Sequence, residues 1–87
     1  MATRGRGISK SLRSHEHAAF RVLMIETRKK ASLTQSQLAK RLRRPQSFVA
    51  KYEGGERRID VVEFLEVVRA MNADPVALLR ALIHKTA

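Results

Sequence analysis

Eighty-seven residues hold one small domain, which excludes a second, catalytic one, and the lack of cysteine excludes disulfides and thiolate metal sites, so packing alone must hold the fold. A formal charge of +10, from 18 Lys and Arg against 8 Asp and Glu, points to a polyanionic partner. No apolar run approaches the roughly 18 residues that span a bilayer, and the N-terminus lacks the apolar stretch of a signal peptide, so a cytoplasmic chain is expected.

Residues 1–13 carry Arg4, Arg6, Lys10 and Arg13 with no acid and two glycines, the composition of a mobile basic arm. The domain proper is expected over residues 14–85. Ser14 can cap a first helix that runs to about Ala31, with Phe20, Leu23 and Met24 at helical spacing. Thr34 with Gln37 three residues on is a capping box, so a short second helix starts at Gln35, carries Leu38, Ala39 and Leu42, and stops at Arg43-Arg44 before Pro45. Proline suits the first position of a helix, which places the third from Pro45 to Glu53, ended by Gly54-Gly55 and followed by the charged loop Glu56-Arg57-Arg58. Asp60 and Glu63 predict a fourth helix from Val61 to about Met71, closed by a left-handed Asn72. Asp74 then caps a fifth helix with Pro75 in its first turn and Val76, Leu79, Leu82 and Ile83 at helical spacing. The expected fold is therefore all-α, a compact bundle of about five short helices. A membrane surface would be met by one helix with a broad apolar face and a basic face. Here the basic residues scatter over an arm, a turn and a loop, which favours nucleic acid.

The second and third helices, two turns each and joined by about four residues, have the dimensions of a helix-turn-helix. Leu33-Thr34-Gln35, Leu38-Ala39, Gln46-Ser47-Phe48-Val49 and Tyr52-Glu53-Gly54-Gly55-Glu56-Arg57-Arg58 resemble the Cro and lambda-repressor type, the Xre family, over about Phe20 to Leu82. That resemblance implies a lambda-repressor-like fold and a sequence-specific regulator of transcription, a repressor, that reads double-stranded DNA. It implies that Gln46, Ser47, Ala50 and Lys51 form the base-reading face of the third helix. Their chemistry agrees: Gln pairs with adenine N6 and N7, and Lys donates to guanine O6 and N7. Gln35 matches the family's phosphate-binding position at the positive end of the second helix, with Ser36 beside it. Arg28 and Glu53 match a buried structural ion pair. Arg43, Arg44, Arg57 and Arg58 are candidate phosphate contacts, and the family usually has Gly at the position of Arg43, where the turn needs positive φ.

Other features read as scaffold. Phe48, Val49 and Tyr52 are expected in the core. His15-Glu16-His17 invites a metal, but helical residues two apart point to different sides and no third ligand is near, so no metal or cofactor is expected. No nucleophile with a neighbouring base and no paired carboxylates support catalysis, which makes the chain a non-enzyme. Arg4 and Arg6 are candidates for a minor groove. Apolar Val68, Met71, Leu78, Leu82 and Ile83 suggest a homodimer on a near-palindromic operator. An antitoxin paired with a toxin, or a restriction-modification controller, would show the same DNA chemistry. From another class, a protein-interaction module would carry the basic surface incidentally. Nucleoid association follows from the DNA-binding reading, and no separate domain for sensing a small molecule is expected.

Overall fold

The computed structural model describes the backbone of residues 2–87 and the side chains of residues 15–87. The described elements are five helices, α1 (Ala2–Lys30), α2 (Gln35–Leu42), α3 (Gln46–Gly54), α4 (Val61–Ala70) and α5 (Pro75–Thr86). The all-α class expected from the periodicity is what forms. α1 departs from expectation at its start, because helical backbone continues to Ala2 and leaves Ser14 inside the helix instead of at its cap. Nothing between them forbids this: the segment has no proline, and a glycine lowers helix propensity by only about 1 kcal/mol. The side chains of Arg4, Arg6, Lys10 and Arg13 lie outside the described residues.

Three helix starts are built as their sequences require. Thr34 Oγ1 accepts the Gln37 N–H at 3.0 Å while Gln37 Oε1 accepts the Thr34 N–H at 2.9 Å. Asp60 and Glu63 repeat that exchange at 2.7 and 2.9 Å, and Asp74 Oδ1 accepts the Val76 N–H at 2.9 Å. Each bond satisfies a backbone donor that the first helical turn leaves unpaired. α3 differs from the expected Pro45 to Glu53 by one residue at each end. Pro45 is extended (φ −62°, ψ 151°) and sits at the cap position, where its carbonyl accepts the Phe48 N–H at 3.0 Å.

The first four helices end the same way, on a residue in the left-handed region: Ser32, Arg43, Gly55 and Asn72, at φ 60°, 56°, 85° and 57°. At Arg43 this turn lets the Arg44 N–H reach Ala39 O at 3.0 Å and the Arg43 N–H reach Lys40 O at 3.1 Å, which pairs two otherwise orphaned carbonyls. The left-handed geometry expected at Arg43 and Asn72 is observed; that of Ser32 carried no signal in its residue type.

The core is one cluster built from Met24, Leu33, Leu38, Ala39, Phe48, Val49, Tyr52, Phe64, Val67, Val68 and Met71, with Phe20 and Leu78 packed against it. Phe48, Val49 and Tyr52 are buried as expected. Val68 and Met71, expected among the apolar residues available to a second copy, are instead interior, because α4 packs against both α2 and α5 and its apolar side is covered. Leu78 and Leu82 are half-buried. The large apolar side chains left in solvent on α5 are Val76, Leu79 and Ile83.

A non-glycine left-handed residue costs roughly 1 to 2 kcal/mol, against about 0.4 to 1 kcal/mol of extra unfolded-state freedom that glycine brings. Arg43→Gly is therefore expected to stabilise the domain by about 0.5 to 1 kcal/mol, seen as a rise of roughly 3 to 6 °C in Tm. An unchanged or lower Tm would show that the Arg43 side chain offsets its own strain.

Candidate nucleic-acid interface

α2 and α3 are joined by the three residues Arg43, Arg44 and Pro45 and pack against each other, with Leu38, Ala39, Phe48 and Val49 buried in the shared core. That burial decides which side of α3 remains outside. Phe48, Val49, Tyr52 and Glu53 face inward, Gln46, Ser47 and Lys51 are exposed, and Ala50 is half-buried. The four expected base-reading residues therefore share one helix face.

Behind this face lies a chain of polar contacts. Arg28 Nε donates to Glu53 Oε2 at 2.7 Å and Arg28 Nη2 to Glu53 Oε1 at 3.0 Å, while Arg28 Nη1 donates to Leu33 O at 2.9 Å. Arg28 and Glu53 are 9% and 5% exposed, so this is the buried pair that the resemblance implied. Gln35 Nε2 donates to Glu53 Oε1 at 2.8 Å, and Gln46 Nε2 donates to Gln35 Oε1 at 2.8 Å. Arg21 Nη1 adds a bond to Glu53 O at 3.2 Å. Glu53 holds the Arg28 guanidinium above its ordinary pKa, through the hydrogen bond first and against the pull of burial. Burial, reinforced by the charge of Glu53, pushes the Tyr52 hydroxyl up, so it stays neutral. The coupling of Gln46 through Gln35 to Glu53 was not legible in sequence, because neither glutamine side chain has a local reason to point at the other.

Residues expected to touch phosphate fall into distinct settings. Gln35 and Ser36 occupy the first two positions of α2, where backbone N–H groups have no acceptor within the helix. Arg43 and Arg58 are exposed and in no ion pair among the described residues. Arg57 is paired bidentately with Glu63 at 2.9 and 3.2 Å. Arg44 lies 3.6 Å from Glu63 and 3.7 Å from Glu66. Both guanidinium carbons sit over the Phe48 ring, at 4.4 and 4.8 Å from its centroid. This cluster was also missed in sequence, although Phe48 itself was placed correctly.

The helix-turn-helix domain family matches residues 19–82. The chain belongs to this family, in its XRE branch. A solved XRE-family like protein from Pseudomonas syringae pv. tomato str. DC3000 is similar to it, with 44% identity over 92% of this chain and 98% of that one and a TM-score of 0.87. Among curated proteins none matches. The XRE-type fold thus brings α2, the turn and α3 together as a DNA-binding unit. Among the described residues no helix is long and apolar enough to cross a membrane.

Two outcomes are expected of the interface's ionic framework. Replacing either Arg28 or Glu53 by Ala should cost roughly 3 to 5 kcal/mol in denaturant unfolding, because the survivor is a buried uncompensated charge. Replacing both by apolar residues of similar volume should cost much less; equal losses in the single and paired variants would place the cost in packing. The second concerns acid. Hydrogen bonds from Arg57 first, and then from the Asp60 backbone, hold the Glu63 carboxyl below the usual carboxylate range. A lowered folded pKa means that its stabilisation is complete above the unfolded value of about 4.3 and is lost as pH falls through the folded one. Melting curves should therefore fall less between pH 5 and 3 in Glu63→Gln than in the wild type. Parallel falls would refute the assignment.

Proposed function

We propose that this XRE-type chain is a sequence-specific regulator of transcription, a repressor that reads the major groove of double-stranded DNA with α3. The observation that carries the reading is the outward row of exposed Gln46, Ser47 and Lys51 with half-buried Ala50, on a helix whose opposite side is locked into the core. Gln46 is held by Gln35 at 2.8 Å, so its amide oxygen and one amide hydrogen stay available in an orientation set before any base arrives. Backbone N–H groups at Gln35 and Ser36, together with Arg43 and Arg44 in the turn before α3 and Arg58 in the loop after it, supply contacts to phosphate that fix register without reading sequence. Exposed Val76, Leu79 and Ile83 on α5 support a two-fold dimer, which would present two copies of α3 to successive major grooves about 34 Å apart. Such a protein would act in the cytoplasm, at the nucleoid.

Selection of bound duplexes from a random pool should return a near-palindromic site that takes two chains. Gln46→Ala is expected to weaken that site by about 1 to 3 kcal/mol and random duplex hardly at all. Arg43→Ala or Arg58→Ala should weaken both duplexes alike, and should reduce the slope of log affinity against log salt by about 0.9 for a lost phosphate contact. Equal losses of selected and random duplex in Gln46→Ala would overturn base reading by α3, and a stoichiometry of one chain per site would overturn the dimer.

A further inference from the structure

Two arginines flank the start of the recognition helix, Arg44 in the turn before it and Arg57 in the loop after it, and both share Phe48 and Glu63. They are held in different ways. Arg57 donates from Nη2 to Glu63 Oε2 at 2.9 Å and from Nη1 to Glu63 Oε1 at 3.2 Å, and Nη1 also reaches Arg58 O at 3.0 Å. Glu63 cannot drift, since its Oε1 also accepts the Asp60 N–H at 2.9 Å and its side chain is 14% exposed. Arg44 lies at 3.6 and 3.7 Å from the carboxylates of Glu63 and Glu66, distances beyond a hydrogen bond, with a side chain 36% exposed. The Phe48 face orients its guanidinium while leaving the in-plane N–H donors unused.

Resting on the DNA-binding reading of α3, we propose that the cluster divides two roles between its arginines. Arg57 is a positioning residue that clamps the recognition helix, through Phe48, to α4. Arg44 is the phosphate ligand, parked beside Glu63 and Glu66, whose carboxylates compete with phosphate for it. The energetics follow from the geometry. Turning Arg57 to a phosphate breaks three charge-assisted bonds, two to Glu63 and one to Arg58 O, whereas turning Arg44 gives up only two longer ion-pair contacts and forms short bonds. Glu66, with a side chain 55% exposed, is the weaker holder, and its charge repels any duplex whatever its sequence. It therefore lowers binding to random DNA and leaves discrimination to Gln46 and Lys51.

The test is titration of random and selected duplex at several salt concentrations, with melting of the free variants alongside. Glu66→Gln is expected to tighten random duplex roughly five- to tenfold near 0.1 M salt, as removal of one opposing charge implies. Arg44→Ala should lower the magnitude of the salt slope by about 0.9 and barely move Tm. Arg57→Ala should lower Tm, keep the slope, and reduce the ratio of selected to random affinity. If Arg57→Ala melts too low to titrate, Phe48→Leu keeps both arginines and should show the same loss of ratio at constant slope. An Arg57→Ala slope that falls as it does for Arg44→Ala, a random-duplex affinity unmoved by Glu66→Gln, or equal loss of both duplexes in Phe48→Leu would each overturn the division. Failure of the wild type to bind any duplex at low salt would instead overturn the DNA-binding reading itself.

Discussion

The geometry of α2 and α3 depends on one buried ion pair, Arg28 with Glu53. Withdrawing two such charges from water costs several kcal/mol per ion, so the pair is tolerated only because its bonding is nearly complete. Glu53 accepts from Arg28 twice and from Gln35 once, and Arg28 also caps the carbonyl of Leu33. Each of these partners belongs to a different segment: α1, the turn after it, the start of α2 and the end of α3. An apolar core of the same volume would admit small slides of α3 against α2. Directional bonds to a charge admit far fewer, and the constraint passes through Gln35 to the side chain of Gln46 on the outer face.

Short helices make this precision costly elsewhere. The chain reverses after α1, α2 and α4 on left-handed residues that are not glycine, Ser32, Arg43 and Asn72. Each such turn carries strain, and each is offset by the pairing of two carbonyls and by an apolar residue, Leu33, Leu42 or Met71, placed beside it against the core. At Arg43 the strained position also carries a charge at the tip of the turn, where glycine would close the helix at less cost but bring no cation.

Charge is organised on two levels. The excess of ten positive charges sets a long-range attraction that any polyanion feels. Close to α3 the carboxylates of Glu63 and Glu66 take up part of it again, and Phe48 gives the remaining guanidinium surface a fixed plane. Bulk charge therefore overstates the positive potential next to α3. The basic side chains differ in function according to what each already touches.

Helix number, helix type and most boundaries were legible in the residues, because capping boxes at Thr34 and Asp60, the Asp74-Pro75 start and apolar spacing act within a few residues of chain. The ion pair was legible through the resemblance carried by Gln35, Gln46, Tyr52 and Glu53, and so was the outward face of α3, for which base reading is our proposal. Local signals misplaced two things. Ser14 offered a cap, but nothing stops helical backbone from running past it. Val68 and Met71 looked available to a partner, because periodicity says which residues share a face but not how many neighbours cover it. The link from Glu53 to Gln46 and the grouping of Arg44, Arg57, Phe48 and Glu63 were decided by tertiary structure alone. Long polar side chains have many rotamers of similar energy, and only the packing of α1, α2, α3 and α4 around one core brings donors 11 to 32 residues away within reach of their acceptors.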